Sequence, residues 1–510
     1  MPEIHAASKD YVAPKGRTEE ELARGFAVAL GMERVSAEED FFEAGGDSLS
    51  LVRLLSECRE LRLNFNLIYE GKTPAGIAKL LEERKSAGGG RQRETHFLGP
   101  LQALHYEWGN ELAEGYGVHC DVTIHLAPET DPERLAAAAE AALLAHPAVD
   151  ARLTPAEDGT LRWRPGDRKD LRPRVERLSR KAYEERRKTL RQPMNRPETR
   201  MFFMEIFVIE EPDGGISKDF YFDFLHPIID GDSIQIFLED VDAAYRGEEV
   251  EPEEFSVFDY YDEIEDRLQG EAYRQEREWN RAFTRSFTEH LCELPGDLDA
   301  RGENETIARF LPIHADLELL DGFTKKCGIT DGTLCAAAFG LLQGLCNGEQ
   351  AGVILTFYNG RDDIRYERTM GAIYRHHPIC VRWKEETTAE EFVRETQENI
   401  LLCRRHALYE GDPVPLIASF AYQGDDMEEG FDFCGGRAVY DEVADFEEEN
   451  FNFYIHRRKD DFYVDLTYNT KEYSEAFISR FLDRYVRAMH GLAEGKKPSE
   501  IAKEFEEESV

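Results

Sequence analysis

The sequence predicts a multidomain protein in which a small all-α unit is followed by a larger α/β unit of two lobes. At 510 residues the chain is too long for one ordinary domain, because domains average roughly 150 residues. Helical spacing of apolar residues fills most of the first 84 residues, whereas strand-type and helical segments alternate after about residue 96. We therefore expect a helical unit at residues 1–84, a linker at residues 85–96, and lobes at residues 97–275 and 276–510.

Three helices are predicted in the first unit. Residues 19–30 form the first, the second begins at Ser48, and the third runs to residue 81 with Pro74 in its first turn. The stretch at residues 84–93 contains three consecutive glycines and no apolar residue larger than alanine. Such a composition is typical of a flexible linker.

The larger unit shows mixed strand and helix patterns. We expect strands at residues 200–209 and 220–226 and helices at residues 233–245 and 473–492. About four hundred residues of this kind favour two lobes over one, and no internal repeat is visible. Residues 504–510 are predicted to form a solvated, charged tail.

Composition excludes several classes of function. The 103 acidic and 62 basic residues give a formal net charge of -41, which repels phosphate backbones and anionic lipids. Nucleic-acid and membrane partners are therefore not expected, and solubility is the simplest explanation of the charge. Nine cysteines without a CxxC pair indicate neither a disulfide framework nor a metal site. With no signal peptide and no apolar run of about 18 residues, we expect a cytoplasmic protein.

The segment Gly-Gly-Asp-Ser-Leu at residues 45–49 places a serine hydroxyl between a flexible turn and the start of an amphipathic helix. A phosphate ester on Ser48 would lie at the helix N-terminus, where free N–H groups favour negative charge. The alternative is a helix cap formed by Asp47 or Ser48. With Asp-Phe-Phe at residues 40–42, the segment resembles the phosphopantetheine-attachment motif of carrier domains in nonribosomal peptide synthetases. The resemblance implies 4'-phosphopantetheine on Ser48, with Asp47 in the cofactor-binding turn.

A second chemical signal lies at the end of the strand predicted at residues 220–226. Alternate side chains of this strand share one face with His226, Pro227 ends the strand, and Asp232 or Ser233 can cap the next helix. A lone histidine on an apolar strand face is most often structural. The alternative is a catalytic histidine, because a strand end beside a loop is a position that reaches a cleft.

The segment Leu-His-Pro-Ile-Ile-Asp-Gly at residues 225–231 resembles the HHxxxDG motif of synthetase condensation domains. Weaker matches follow in the family's order at residues 98–104, 145–153, 258–260, 359–361, 370–373, 378–382 and 419–424. The resemblance implies a V-shaped pair of chloramphenicol-acetyltransferase-like lobes with a tunnel between them. It also implies a function, which is transfer of an acyl group from a thioester on Ser48 to an acceptor amine with formation of a peptide bond.

The same resemblance implies roles for single residues. His226 stands for the family's essential second histidine and acts on the attacking amine as general base or as positioner. The Gly231 N–H is a candidate donor to the developing oxyanion. Asp230 is expected to hold the loop through an arginine. Arg152 is the candidate partner, although Asp150 occupies the position where the family usually has arginine.

Leu225 replaces the family's first histidine, so either that histidine is structural or the loop has adapted. Its loss is familiar in terminal members, which leaves product release to a soluble amine or alcohol as an alternative to elongation. A degenerate, non-catalytic docking domain is a second alternative. Heterocyclisation domains have aspartate at position 225, and epimerisation domains have glutamate where this chain has Phe357, so both activities are disfavoured.

Residues 2–14 resemble the junction that follows an adenylation domain. The resemblance as a whole implies an adenylation domain that loads Ser48 and a phosphopantetheinyl transferase that modifies it. It further implies a downstream acceptor carrier protein or an amine substrate. We favour ordinary elongation with a carrier-bound amine.

Overall fold

A computed structural model describes residues 11–46, 48–58, 61, 63, 67–68, 71–86, 93–112, 114–268, 270–298, 306–361, 363–406, 418–424, 430–442 and 451–508. Four parts of the predictions lie outside the described residues, namely the junction-like residues 2–10, Asp47, the linker residues 87–92 and the last two residues, 509–510.

The first unit is helical, as predicted. Its helices are α1 (Gly16–Leu30), α2 (Ser48–Glu57) and α3 (Pro74–Ser86). They enclose a small core of their own, in which Leu22, Phe26, Phe41, Leu54 and Ile77 are fully buried. The amphipathic pattern predicted each helix because each buries one apolar stripe in this core.

The larger unit alternates strands and helices along the chain. Its elements are β1 (His96–Phe97), α4 (Pro100–Leu112), β2 (His119–His125), α5 (Pro132–Ala145), β3 (Arg152–Pro155), β4 (Leu161–Arg164), β5 (Arg174–Ser179), α6 (Arg180–Arg187), β6 (Phe202–Glu210), β7 (Ile216–Leu225), α7 (Gly231–Arg246), α8 (Val257–Leu268), α9 (Glu271–Arg285), β8 (Thr306–Pro312), α10 (Leu317–Cys327), α11 (Asp331–Cys346), β9 (Ala351–Tyr358), β10 (Arg375–Arg382), α12 (Ala389–Arg405), β11 (Ser419–Gly424), β12 (Phe431–Phe433), β13 (Gly436–Glu442), β14 (Phe451–Arg457), β15 (Phe462–Asn469), α13 (Glu475–Ala493) and α14 (Pro498–Glu507).

Two six-stranded sheets form the two lobes. In the first lobe the strand order is β12-β13-β2-β7-β6-β5, and in the second it is β10-β9-β11-β14-β15-β8. A three-stranded sheet, β1-β4-β3, accompanies the first lobe. The last seven residues of β7 are all buried, because the main first-lobe core covers one face of the sheet, and a smaller cluster around Tyr183 of α6 together with the His119–Asp223 pair covers the other. The predicted lobe limit at residues 275/276 falls within α9.

The later part of the chain returns to the first lobe. Strand β13 pairs antiparallel with β2, with Val439 opposite His125 and Glu442 opposite Val122. Phe433, Cys434 and Ala438 are buried in the first-lobe core. The two lobes are therefore joined by shared strands as well as by facing surfaces.

The prediction of a solvated tail at residues 504–510 is wrong for its first half. Helix α14 continues through Glu507, and Phe505 is only 2% exposed. Its ring packs beneath the guanidinium groups of Arg484 and Arg487, at 5.3 and 4.9 Å from the ring centroid. The sequence pattern missed the buried Phe505 because its neighbours in the sequence are acidic.

Among the described residues, no single helix is long and apolar enough to cross a membrane; α10 and α11 meet that test only as a pair, across a 100° bend.

Candidate active site

His226 lies on a single 3-10 turn, His226–Ile228, directly after β7. Its Nδ1 atom is 2.9 Å from the carbonyl oxygen of Ile229. Because a carbonyl only accepts hydrogen bonds, Nδ1 carries the proton and Nε2 carries the lone pair. None of the residues that the structure describes bonds to Nε2. Burial lowers the pKa of His226, so the ring is neutral at pH 7 and Nε2 keeps its lone pair.

The turn that carries His226 is held by a buried glutamine. Gln102 of α4 donates from Nε2 to the Pro227 carbonyl at 2.8 Å. Its Oε1 accepts from Trp163 Nε1 at 2.7 Å and from the Gly99 N–H at 3.2 Å. The amide orientation is thus fixed on both sides. Gln102 lies in the motif at residues 98–104, but nothing in that motif distinguishes it from its neighbours.

Two further rings surround His226. The His105 ring lies parallel to it, with centroids 4.1 Å apart and an interplanar angle of 9°, and the Tyr374 ring lies 5.2 Å away. His376 is near them, 5.6 Å from the Tyr374 ring, and burial lowers its pKa to about 4. Sequence reasoning missed all three, because His105 is on α4 and the other two come from the second lobe.

Asp230 is the most heavily bonded carboxylate of the site. It forms a bidentate pair with Arg361, with both N···O distances at 2.9 Å. It also accepts from the Ser233 N–H at 2.9 Å and from the Ile373 and Tyr374 N–H groups at 3.0 and 3.2 Å. Burial opposes its ionisation, but the Arg361 charge and these hydrogen bonds hold the pKa of Asp230 below its ordinary value.

Two predictions about this loop need correction. Arg152 does not pair with Asp230; its Nη1 lies 2.8 Å from Asp150 Oδ1, and Arg361 is the partner of Asp230 instead. Arg152 instead pairs with a carboxylate only two residues before it in the chain. The cap of α7 is Asp230, not Asp232 or Ser233, since Asp230 has extended backbone angles and Ser233 is its hydrogen-bond donor.

Gly231 opens α7, and a Cβ built on it would meet nothing within 4 Å. The described residues provide no acceptor for its N–H, as expected at the first position of a helix. Open space beside a free N–H is what a donor to a bound oxygen requires.

Leu225 does not face the same space as His226. It is fully buried in the first-lobe core and lies opposite His119 of β2 in the sheet register. A Cβ on Gly117 would come within 3.1 Å of its Cδ1 atom. Position 225 is therefore a packing position in this chain.

The turn before Ser48 suits a covalently attached arm. Gly45 has φ of 93°, and a Cβ on Gly46 would lie 2.4 Å from the Phe41 ring, so both positions require glycine. Ser48 is the first residue of α2, where the unbonded N–H groups of the first helical turn favour a phosphate. These residues fit 4'-phosphopantetheine.

Comparison with known families decides what these two units are. The model for the phosphopantetheine attachment site matches residues 20–81, and the model for the condensation domain matches residues 93–504, most of the chain. The chain belongs to the condensation domain family. Its condensation domain follows a carrier domain whose family bears covalent 4'-phosphopantetheine, and the predicted order of the two is confirmed.

Relatives of the carrier and condensation domains are parts of much larger proteins. The chain is 25% identical over 417 residues to a linear gramicidin synthase of Brevibacillus parabrevis, a match that covers 77% of this chain and 8% of the relative. It is 23% identical over 531 residues to bacitracin synthase 3 of Bacillus licheniformis, which covers 96% of this chain and again 8% of the relative. The chain therefore spans less than a tenth of the length of these two relatives.

Solved structures confirm the fold of the condensation domain. The complex of the X-domain and OxyB from teicoplanin biosynthesis matches with a TM-score of 0.67 at 19% identity, covering 81% of this chain and 97% of the matched chain. The first condensation domain of the calcium-dependent antibiotic synthetase, solved with a substrate analogue, matches with a TM-score of 0.60 at 15% identity, covering 79% and 97%.

Proposed function

We propose that this chain is a carrier–condensation unit of a nonribosomal peptide synthetase that transfers an acyl group from the arm on Ser48 to a carrier-bound amine. The observation that carries the proposal is the unbonded Nε2 of His226, on the turn that precedes α7. An adenylation domain that loads the arm and a phosphopantetheinyl transferase that attaches it are the partners that this function needs.

When bound, 4'-phosphopantetheine supplies a terminal thiol that holds the acyl group as a thioester. The attacking amine nitrogen forms a bond to the acyl carbon while the carbon–sulfur bond breaks. His226 Nε2 takes the proton that the amine loses and returns it to the departing thiolate, so charge balances over the reaction. Nδ1–H stays bonded to the Ile229 carbonyl throughout, which keeps the lone pair on Nε2, the opposite ring nitrogen.

The negative charge that develops on the acyl oxygen needs a donor. The Gly231 N–H is the proposed one, because it has no described acceptor and lies at the positive end of the α7 dipole. Asp230 contributes indirectly, by capping α7 and tying it to Arg361. Its oxygens are occupied by protein donors, so we assign it no contact with substrate.

Leu225 does not argue against catalysis. A leucine that packs in the first-lobe core removes no polar group from the vicinity of His226 Nε2. A docking domain without activity would not need a neutral histidine held in one tautomer at the start of a braced loop. These features support an active condensation domain.

The test is single-turnover transfer followed by intact-protein mass spectrometry. The full chain is loaded with an aminoacyl-pantetheine and offered an aminoacyl carrier protein, a free amine and an alcohol in separate reactions. We expect transfer to the carrier-bound amine and a loss of about 10²–10⁴-fold in His226→Ala. His290→Ala, at a half-exposed histidine of the second lobe, is the matched control.

Transfer only to the free amine or alcohol would replace elongation by product release. No transfer to any acceptor by a loaded, folded protein would overturn the catalytic assignment and favour a docking domain.

A further inference from the structure

His105 is the most unusual neighbour of His226. The residue is 3% exposed, and its ring stacks on the His226 ring almost face to face, at 4.1 Å and 9°. His226 is thus held by two constraints, the Nδ1–H bond to Ile229 along one edge and a flat ring against one face. Together they determine both the tautomer and the plane of the imidazole.

One nitrogen of His105 is bonded and the other is not. Nε2 lies 2.5 Å from the Tyr374 hydroxyl, whereas Nδ1 is buried without a partner among the described residues. An unsatisfied buried polar atom costs about 1–3 kcal/mol. A phenylalanine or leucine would fill the same space without that cost, so the imidazole needs a functional explanation.

Tyr374 links this stack to the Asp230–Arg361 ion pair, which joins the two lobes. Its backbone N–H donates to Asp230 Oδ2 at 3.2 Å, and the same oxygen accepts from Arg361 Nη1. His105 thus stands on α4 of the first lobe, while its hydroxyl partner is fixed by a segment of the second lobe. The ring against His226 is therefore tied to both lobes.

We propose that His105 is a positioning residue for His226, and that its hydrogen bond to Tyr374 makes the orientation of the His226 ring depend on the position of the second lobe relative to the first. This inference rests on the proposed acyl transfer. It gives the site a second imidazole from α4, whereas position 225 supplies none.

The electrostatic surroundings agree with this role. His105 faces His226 from α4, Tyr374 and His376 face it from the second lobe, and Asp230 lies nearby at the start of α7. Burial and the two neighbouring histidines keep the pKa of His105 well below its ordinary value. His105 stays neutral when His226 takes a proton. A metal site is not the explanation, since the described residues contain no group of three metal-ligating side chains.

Three variants separate the parts of the proposal. His105→Phe keeps the stacked ring and removes its nitrogens, Tyr374→Phe removes the hydroxyl, and His105→Ala removes the ring. His456→Phe is the matched control, because His456 is also a buried histidine with an unbonded nitrogen but lies in β14 of the second lobe.

The first readout is NMR of the histidine ring nitrogens in the full-length protein, with the His226 signal assigned by its loss in His226→Gln. In His105→Ala, water reaches the His226 ring, so its pKa should rise towards the ordinary value and the single tautomer should become mixed. His456→Phe should leave the signal unchanged. An unchanged His226 signal in folded His105→Ala would overturn the proposal.

The second readout is single-turnover transfer. We expect a loss on the order of 10²-fold in His105→Ala and smaller, equal losses in His105→Phe and Tyr374→Phe that do not add in the double variant. Wild-type rates in both phenylalanine variants would overturn the link through Tyr374. If His105→Ala does not fold, the two phenylalanine variants alone test the proposal. If the wild type transfers to no acceptor, the proposed function fails, and the NMR readout alone decides the role of His105.

Discussion

Asp230 and Arg361 lie 131 positions apart in the chain and form a bidentate ion pair, with both side chains less than 5% exposed. Arg361 also donates to the Ser233 hydroxyl and to the Thr369 carbonyl, both at 3.0 Å. The pair thus fastens the start of α7 to the loop that precedes β10.

Breaking this pair should destabilise the protein. Asp230→Asn removes the closer carboxylate partner of the buried Arg361 charge and, among the described residues, leaves only Asp232, at 3.4 Å. Breaking a buried ion pair typically costs about 3–5 kcal/mol. Chemical denaturation monitored by circular dichroism should show that loss, and transfer should fall with it. Arg361→Gln should recover part of the stability when added to Asp230→Asn. Two single losses that simply add in the double variant would mean that the pair has no coupling.

An imidazole at position 225 should cost stability without improving catalysis. Leu225→His buries a polar ring in the first-lobe core, where an unsatisfied group costs about 1–3 kcal/mol. Thermal denaturation should show a lower Tm for this variant than for Leu225→Met, whose side chain has a similar volume and should be tolerated. Faster transfer by Leu225→His would contradict our placement of this side chain away from the reacting atoms.

Only Ser48 should accept the 4'-phosphopantetheine arm. Incubation with coenzyme A and a promiscuous phosphopantetheinyl transferase should add one arm to the wild type and none to Ser48→Ala, as measured by intact-protein mass spectrometry. Ser50→Ala, in the same first turn of α2, should still accept one arm. An arm on Ser48→Ala would remove the assignment of the attachment site.

His146 should make the stability of the first lobe depend on pH. Burial opposes its charge, but hydrogen bonds to Asp240 at 2.7 Å and Glu253 at 2.9 Å outweigh burial and raise its pKa to about 8. A raised pKa means that the folded state holds the proton more tightly than the unfolded state. The stabilisation, about 2 kcal/mol, is therefore complete below pH 6.5 and disappears as pH rises through about 8.

The check for His146 is denaturation of the wild type and His146→Gln between pH 6 and pH 9. The free energy of unfolding should differ most at pH 6, and the difference should shrink with rising pH. A difference that grows with pH would show that His146 is neutral in the folded protein.

The local sequence pattern predicted the strands and helices better than it predicted the contacts between them. The strand at residues 220–226 was found within one residue of its end because Pro227 stops it, and the helix at residues 233–245 lies within α7. The sequence offered Asp232 and Ser233 as caps of α7, and only the packed structure shows that Asp230 is the cap. Arg361 and His105 could not be predicted, since nothing near either residue in the sequence marks its partner across the lobes.

The return of β12 and β13 to the first lobe has a consequence for synthesis on the ribosome. Until residues 431–442 have emerged, β2 is an open sheet edge and the positions that Phe433, Cys434 and Ala438 fill are empty. The first lobe is thus begun early but completed only after most of the second lobe has been translated. A nascent chain must keep that edge from pairing with other strands, and a piece cut at the lobe limit would lack two strands of its own sheet, β12 and β13.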